Sequence, residues 1–223
     1  MNIWLILILV MVASFLVQTT LQSRFNKYSQ IRNTGGLTGA EVAHRMLEDH
    51  GIRDVKITCI PGQLTDHYNP ETHTVNLSES VYSQRSIAAA AVAAHECGHV
   101  VQHYRGYGPL KLRTALVPVV NFSNKAVQWV LLLGVMLISV TPALLWLAIA
   151  LFAMSTLFSI VTLPVEVNAS NRAVNWLRKH DIADDDTSAY AVDALKWAAY
   201  TYVIAALGSL ATLFYYIGIA RRS

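Results

Sequence analysis

The sequence predicts a mainly α-helical integral membrane protein. About four transmembrane helices would carry a small α+β part, built on one buried helix preceded by a short β-hairpin. Three observations carry this. Of 223 residues, 54% are hydrophobic and only 14% charged, too apolar for an ordinary soluble domain and too short for several domains. Four apolar runs are long enough to cross a bilayer. The polar remainder holds helical and alternating patterns side by side.

Taken in order, Ile3 to Val17 is apolar apart from Ser14, enough with its flanks for a span of about 18–20 residues. Residues 1–22 are read as an uncleaved N-terminal transmembrane anchor. The rival is a cleaved signal peptide, but no Lys or Arg precedes the run and no clear small-x-small site precedes Arg24 and Lys27. Ser23 to Asn33 is polar and basic, a helical continuation that Gly35-Gly36 breaks. Leu37 to His50 places Val42, Met46 and Leu47 at helical spacing, with Thr38 as N-cap and Gly51 as the stop. Asp54 to Ile60 alternates apolar and polar and ends at Pro61-Gly62, and His73 to Leu77 is a second strand pattern. Asp66 to Pro70 reads as the turn between them. This hairpin has two readings, an edge strand that pairs with an extended substrate and a simple cover for the helix that follows.

That helix is the Ala-rich run from Ile87 to Tyr104, and it closes the part formed by residues 23–126. Two further runs, Val127 to Val140 and Ala143 to Leu163, flank a Thr141-Pro142 turn and make residues 127–163 a transmembrane hairpin. Residues 164–196 return as a helical segment, with an acidic Asp181 to Asp186 loop that fits a helix N-cap better than a Ca²⁺ loop. Residues 197–223 form the last span, with Tyr200, Tyr202, Tyr215 and Tyr216 near its ends.

Basic residues set the orientation. Arg24, Lys27, Arg32, Lys111, Arg113, Lys125, Arg172, Arg178 and Lys179 all fall on one side of the spans, and only Arg221 and Arg222 oppose them. The polar part is therefore expected in the cytoplasm, with both termini outside. Cys59 and Cys97 are then free thiols on the reducing side. The net charge of +3 comes from scattered residues flanking spans, which excludes a nucleic-acid partner and leaves the lipid bilayer as the obvious one.

Within the Ala-rich helix stands His95-Glu96-Cys97-Gly98-His99. Positions i and i+4 project from one helix face, so His95 and His99 can give two nitrogens to one Zn²⁺. Glu96 beside them can act as the general base on the metal's water. The competing reading, two ordinary histidines, leaves a carboxylate and two imidazoles without partners on a helix that otherwise looks buried. Cys97 projects about 100° away from each histidine, which suits packing. His103 continues the series but lies about 12 Å along the axis from His95, so it is a packing or supporting residue. The third ligand must come from elsewhere. The hairpin returns the chain to the same side at Pro164 to Ser170, and no Asp, Glu or His stands between Arg105 and Val165, which points to Glu166. A helix-start glutamate satisfying the dipole is the competing reading.

HECGHVVQH, with LTDHYNP before it, LPVEVNAS after the hairpin and an N-terminal anchor, resembles the bacterial family of membrane-bound neutral zinc metallopeptidases over essentially the whole chain. More distantly it is similar to heat-shock membrane metallopeptidases and CAAX-prenyl endopeptidases. The resemblance implies a gluzincin-like, zincin-type catalytic part and one Zn²⁺ per chain held by His95, His99 and Glu166. It also implies Glu96 as base and an active site at the cytoplasmic face of the inner membrane. Four residues after Glu166, where relatives carry an Asp that braces a histidine, this chain has Ser170, a hydroxyl without negative charge. Arg172, His180 and Tyr190 are candidates for oxyanion support because they follow Glu166.

The resulting expectation is a zinc endopeptidase acting on membrane or membrane-proximal proteins. The alternative is a zinc-stabilised membrane scaffold or partner-binding subunit with vestigial peptidase chemistry. A membrane-protein partner or a second copy of the chain is left open as a further interaction. A metal transporter would need charged residues within its spans, and none lie in 127–163 or between Trp197 and Ala220.

Overall fold

The computed structural model describes residues 3–137 and 141–221. The last three residues of the expected Val127 to Val140 span, and Arg222, lie outside the described residues. Among the described residues four helices are long and apolar enough to cross a membrane: α1 (Ile3–Tyr28), α5 (Gly108–Met136), α6 (Pro142–Lys179) and α7 (Asp185–Ala220). Between α1 and α5 lie α2 (Gly39–Asp49), β1 (Lys56–Ile60), β2 (His67–Asn69), β3 (Thr74–Ser78), α3 (Glu79–Tyr82) and α4 (Ile87–Tyr104). The chain divides into two compact units. One comprises Leu16 and the residues before it, Gly108–Pro164 and Tyr200 onwards; the other comprises Val17–Tyr107 and Val165–Ala199.

The helices of the first unit are longer than the apolar runs that announce them. α5 starts at Gly108, well before Val127, and α6 continues past Leu163 to Lys179. Hydropathy reports which solvent a residue prefers, whereas Lys111, Arg113, Asn121 and Lys125 leave the helical hydrogen-bond ladder intact. Within this unit α5 and α6 touch closely. A Cβ on Gly134 would sit 2.9 Å from the Leu145 backbone N and Cα, so only glycine fits the crossing.

In the second unit, α4 is the centre. Ala is the strongest helix former, and Ala88, Ala89, Ala90, Ala91, Ala93 and Ala94 are all 0% exposed, so neighbouring elements approach this helix on every side. α2 covers it with Val42, Ala43, Met46 and Leu47; the sheet adds Val75 and Leu77; the later helices add Ala173, Leu177, Ala191 and Leu195. Fully burying a side chain such as Met46 or Leu177 stabilises the fold by about 1.5–3 kcal/mol. Ser86 caps α4 by accepting from Ala89 N–H at 3.2 Å. Its end closes with Gly106 N–H donating to His103 O and Tyr107 N–H to Gln102 O, a turn that places Gly106 at φ +63°. α2 ends in the same way at Gly51, φ +73°. Its start is the reciprocal box of Thr38 and Glu41, each side chain accepting the other's backbone N–H.

The sheet corrects the expected hairpin. The two strands read from the sequence, β1 and β3, pair in parallel, with Lys56 opposite Thr74 and Ile60 opposite Ser78. The segment expected as a turn contains β2, which pairs antiparallel to the far edge of β3. Two side chains impose this. Asn69 Oδ1 accepts from Glu71 N–H at 2.9 Å and Thr72 N–H at 3.3 Å, folding the chain back between β2 and β3. Asp66 accepts from Ser78 N–H at 2.7 Å and from Ser78 Oγ–H, tying the entry of β2 to the end of β3. A true hairpin is present, formed by β2 and β3.

Candidate metal centre

Two neighbouring elements of the second unit bring the site together. On α4, His95 and His99 lie one turn apart, their rings 4.8 Å between centroids and nearly perpendicular. α6 crosses at Gly98, where a Cβ would come within 2.7 Å of the Ala169 carbonyl oxygen and 3.1 Å of its Cα. The missing side chain lets α6 lie against α4 closely enough to deliver Glu166. Its Oε2 stands 3.2 Å from His95 Nε2 and 3.5 Å from His99 Nε2. One ligand atom from each of His95, His99 and Glu166 lies within 4.8 Å of the others. The side chains are 13%, 11% and 4% exposed.

The donor set suits a zinc ion. Both imidazoles turn Nε2 toward the shared carboxylate, and each Nδ1 has its own support: Ser170 Oγ at 3.1 Å for His95 and Gln102 Oε1 at 3.1 Å for His99. Two nitrogens and one oxygen, each anchored from behind, match a three-ligand site with an open fourth position. Electrostatics agree. Burial pulls the His99 pKa down, but the hydrogen bond and charge of Glu166, followed by the charge of Glu96, prevail and leave it above the ordinary imidazole value. Two carboxylates thus make this a place that favours a cation.

Glu96 is buried at 8% exposure, and its Oε2 accepts from the Tyr68 backbone N–H at 3.0 Å. The edge strand β2 therefore holds the carboxylate that lies between the two histidines. Asp66, half-buried where it ties β2 in place, has its pKa raised by burial, opposed by the Ser78 N–H and hydroxyl hydrogen bonds.

The other residues singled out in the sequence are spread more widely. Cys97 points at the Ala43 carbonyl on α2, 3.6 Å away, and burial pushes its thiol pKa up; Cys59 is exposed, and both are free thiols. His103 is exposed, with Nδ1 2.9 Å from Tyr68 Oη. Arg172 Nε donates to Asn168 Oδ1 at 2.8 Å. His180 lies about 21 Å along the α6 axis from Glu166. Its nitrogens are engaged by Asp49 Oδ2 at 3.0 Å and the Trp176 carbonyl at 2.9 Å. Tyr190 stacks on Tyr28. Sequence reasoning overlooks Gln102 and Asn168, and it reads Tyr68 and Asp66 only as turn residues. The one available signal for Gln102 was an amide between Val101 and His103 on a helix already read as buried.

His95, His99 and Glu166 form a group that could hold a metal ion, in a chain with four helices among the described residues long and apolar enough to cross a membrane. The sequence pattern of the family described as "putative neutral zinc metallopeptidase" matches residues 3–221, and the chain belongs to that family. It is 42% identical over 204 residues to a protein of Bacillus subtilis (strain 168) described as "putative membrane protease YugP", covering 92% of this chain and 90% of that relative. No solved structure matches.

Proposed function

We propose that the chain is a membrane-embedded zinc endopeptidase that hydrolyses peptide bonds of membrane or membrane-proximal proteins. The observation that carries the proposal is the meeting of His95, His99 and Glu166, the last of them 71 positions from the first, beside a buried glutamate held by a backbone N–H. Family membership and the relative's description as a membrane protease support the same reading.

In this proposal His95, His99 and Glu166 would hold the ion. Zinc in such a site polarises the scissile carbonyl and acidifies the attacking water. Tyr68 N–H fixes Glu96 Oε2, which leaves Oε1 to take the proton of the attacking water and pass it to the leaving amine. Ser170 and Gln102 keep the imidazoles from turning. The distribution of basic residues argues for a site at the cytoplasmic face of a bacterial inner membrane.

Detergent-purified protein tests this with three variants. Glu96→Gln is expected to lower peptide hydrolysis at least about 100-fold with one zinc per chain retained. His95→Ala and Glu166→Ala are expected to release the zinc. Hydrolysis undiminished in Glu96→Gln, or one tightly bound zinc in both ligand variants, overturns the proposal.

A further inference from the structure

Gln102 is a glutamine that α4 has no need of. It is 0% exposed on a helix otherwise packed with Ala and Val, where an amide is costly unless all its groups are paired. All are. Nε2 donates to the Val165 carbonyl at 2.8 Å and to Asn168 Oδ1 at 3.0 Å, while Oε1 faces His99 Nδ1 at 3.1 Å.

The polarity of these bonds follows from their outer ends. Arg172 Nε is a donor only and lies 2.8 Å from Asn168 Oδ1, so Asn168 must present its oxygen on this side. The Val165 carbonyl is an acceptor only. Two acceptors therefore meet one end of Gln102, and that end must be the NH₂ group. Its oxygen is left for His99, whose Nδ1 must then carry the hydrogen. A neutral imidazole has one N–H, so a His99 that gives Nδ1–H to Gln102 has Nε2 free for a metal, the nitrogen for whose hydrogen the Glu166 oxygen 3.5 Å away competes when no metal is bound. At His95 nothing equivalent operates, because the Ser170 hydroxyl can donate or accept.

We infer that Gln102, fixed by Val165 O and by Asn168 with Arg172 behind it, is a positioning residue that holds His99 in the one tautomer able to offer Nε2 to a metal. The inference rests on the metal-centre reading above and is independent of peptide hydrolysis. The side chains involved belong to α4 and to the stretch of α6 around Glu166, so the tautomer is set only once these two helices have docked. Glu166 reaches the site through the same docking.

The test uses the full chain in detergent, ¹⁵N-labelled at histidine. In the zinc-loaded protein the His99 signals should report Nδ1–H and a metal-bound Nε2. The His99→Gln variant assigns those signals. Gln102→Met should mix the tautomers and weaken Zn²⁺ binding about 10- to 100-fold in chelator competition. Asn168→Asp, which keeps the acceptor, should hold the tautomer and bind Zn²⁺ within about threefold of the unaltered chain. Zinc bound through Nδ1 of His99 in the unaltered protein overturns the inference without recourse to any variant, and so does unchanged zinc affinity in Gln102→Met. A chain that binds zinc in this tautomer and cleaves nothing would sink the peptidase proposal alone.

Discussion

The two units handle polar groups in opposite ways. In the unit that carries the candidate metal centre, side-chain hydrogen bonds join residues far apart in sequence: Tyr28 to Asp193, Trp176 to Asp49, Gln102 to Asn168. In the unit of apolar helices they are mostly local, a hydroxyl returning to the carbonyl four residues back, as at Thr156, Ser159, Thr162 and Thr212. The Ser155 to Asn124 bond reaches farther. Among the described residues, the buried side-chain atoms without a hydrogen bond, Arg113 Nε and Ser123 Oγ, both belong to the apolar unit. Long-range bonds specify one arrangement of elements, whereas i−4 bonds satisfy a helix wherever it packs. Chemistry that needs three ligands within a few ångströms belongs in the first kind of environment.

The sharpest way to break this comparison uses two glycines that occupy equivalent positions, one in each unit. Gly98→Ala gains helix propensity of about 1 kcal/mol, but its Cβ would press on the backbone of Ala169 at 2.7–3.2 Å, and backbone cannot step aside. A net loss of about 1–3 kcal/mol and a zinc affinity lowered more than about tenfold are expected, because α6 carries Glu166. Gly134→Ala makes a similar clash with Leu145 and should cost comparable stability, yet leave one zinc per chain. Thermal unfolding and zinc titration on both variants decide. If Gly134→Ala also loses its metal, the two units do not act independently.

The second effect is that of pH on zinc affinity. The His99 pKa stands above the ordinary imidazole value because the hydrogen bond and charge of Glu166, then Glu96, outweigh burial. A proton and a zinc ion compete for this side chain, so affinity is full above the raised pKa and declines as pH falls through it. The decline approaches tenfold per pH unit for the one proton displaced, and it begins above about pH 6.5, the ordinary imidazole value. Zinc titrations between about pH 6 and 9 would show a decline confined to lower pH if the carboxylates had no such influence.

What could be read from the sequence was what its neighbours decide. Thr38 and Glu41 cap α2, Gly51 stops it, and the Ala run makes α4, because each effect acts within one turn of helix. The four apolar runs were visible for the same reason. Glu166 was legible by a different route: in the long stretch between Arg105 and Val165 no other carboxylate or imidazole competes. What lay hidden depends on distant partners. The parallel pairing of β1 with β3 goes with the placement of β2 on the far edge of β3, where Asp66 reaches Ser78, 12 positions on, and no alternation pattern records that. Gln102 looks like any helix glutamine until Val165 and Asn168, 63 and 66 positions away, are seen beside it. The early start of α5 was missed because polarity was taken for the helix boundary.

A smaller effect is expected at Ser170, whose hydroxyl backs His95 at 3.1 Å. Supports of this kind are worth about 10- to 100-fold in metal affinity, and an uncharged hydroxyl belongs at the lower end. Ser170→Ala should therefore weaken zinc about tenfold. Ser170→Asp, which adds a charge that raises imidazole basicity, should strengthen it. Chelator competition measures both, and a weaker site in Ser170→Asp would show that the pocket has no room for a carboxylate.

The smallest effect tests the other half of the comparison. Thr162 is 2% exposed and its hydroxyl donates to the Phe158 carbonyl at 2.8 Å, figures that in the unit of the candidate metal centre would mark a residue worth keeping. Here the carbonyl already accepts the helical N–H, and the hydroxyl has no partner on another element to bring into place. Thr162→Val keeps the shape and the β-branch and removes only the local bond. Polar contacts within membrane helices average about 0.6 kcal/mol, including bonds between helices, so this one should cost less, with zinc affinity unchanged. A loss above about 1.5 kcal/mol in denaturant-induced unfolding in micelles would mean that the hydroxyl specifies tertiary packing, and the division between long-range and local hydrogen bonds would no longer separate the two units.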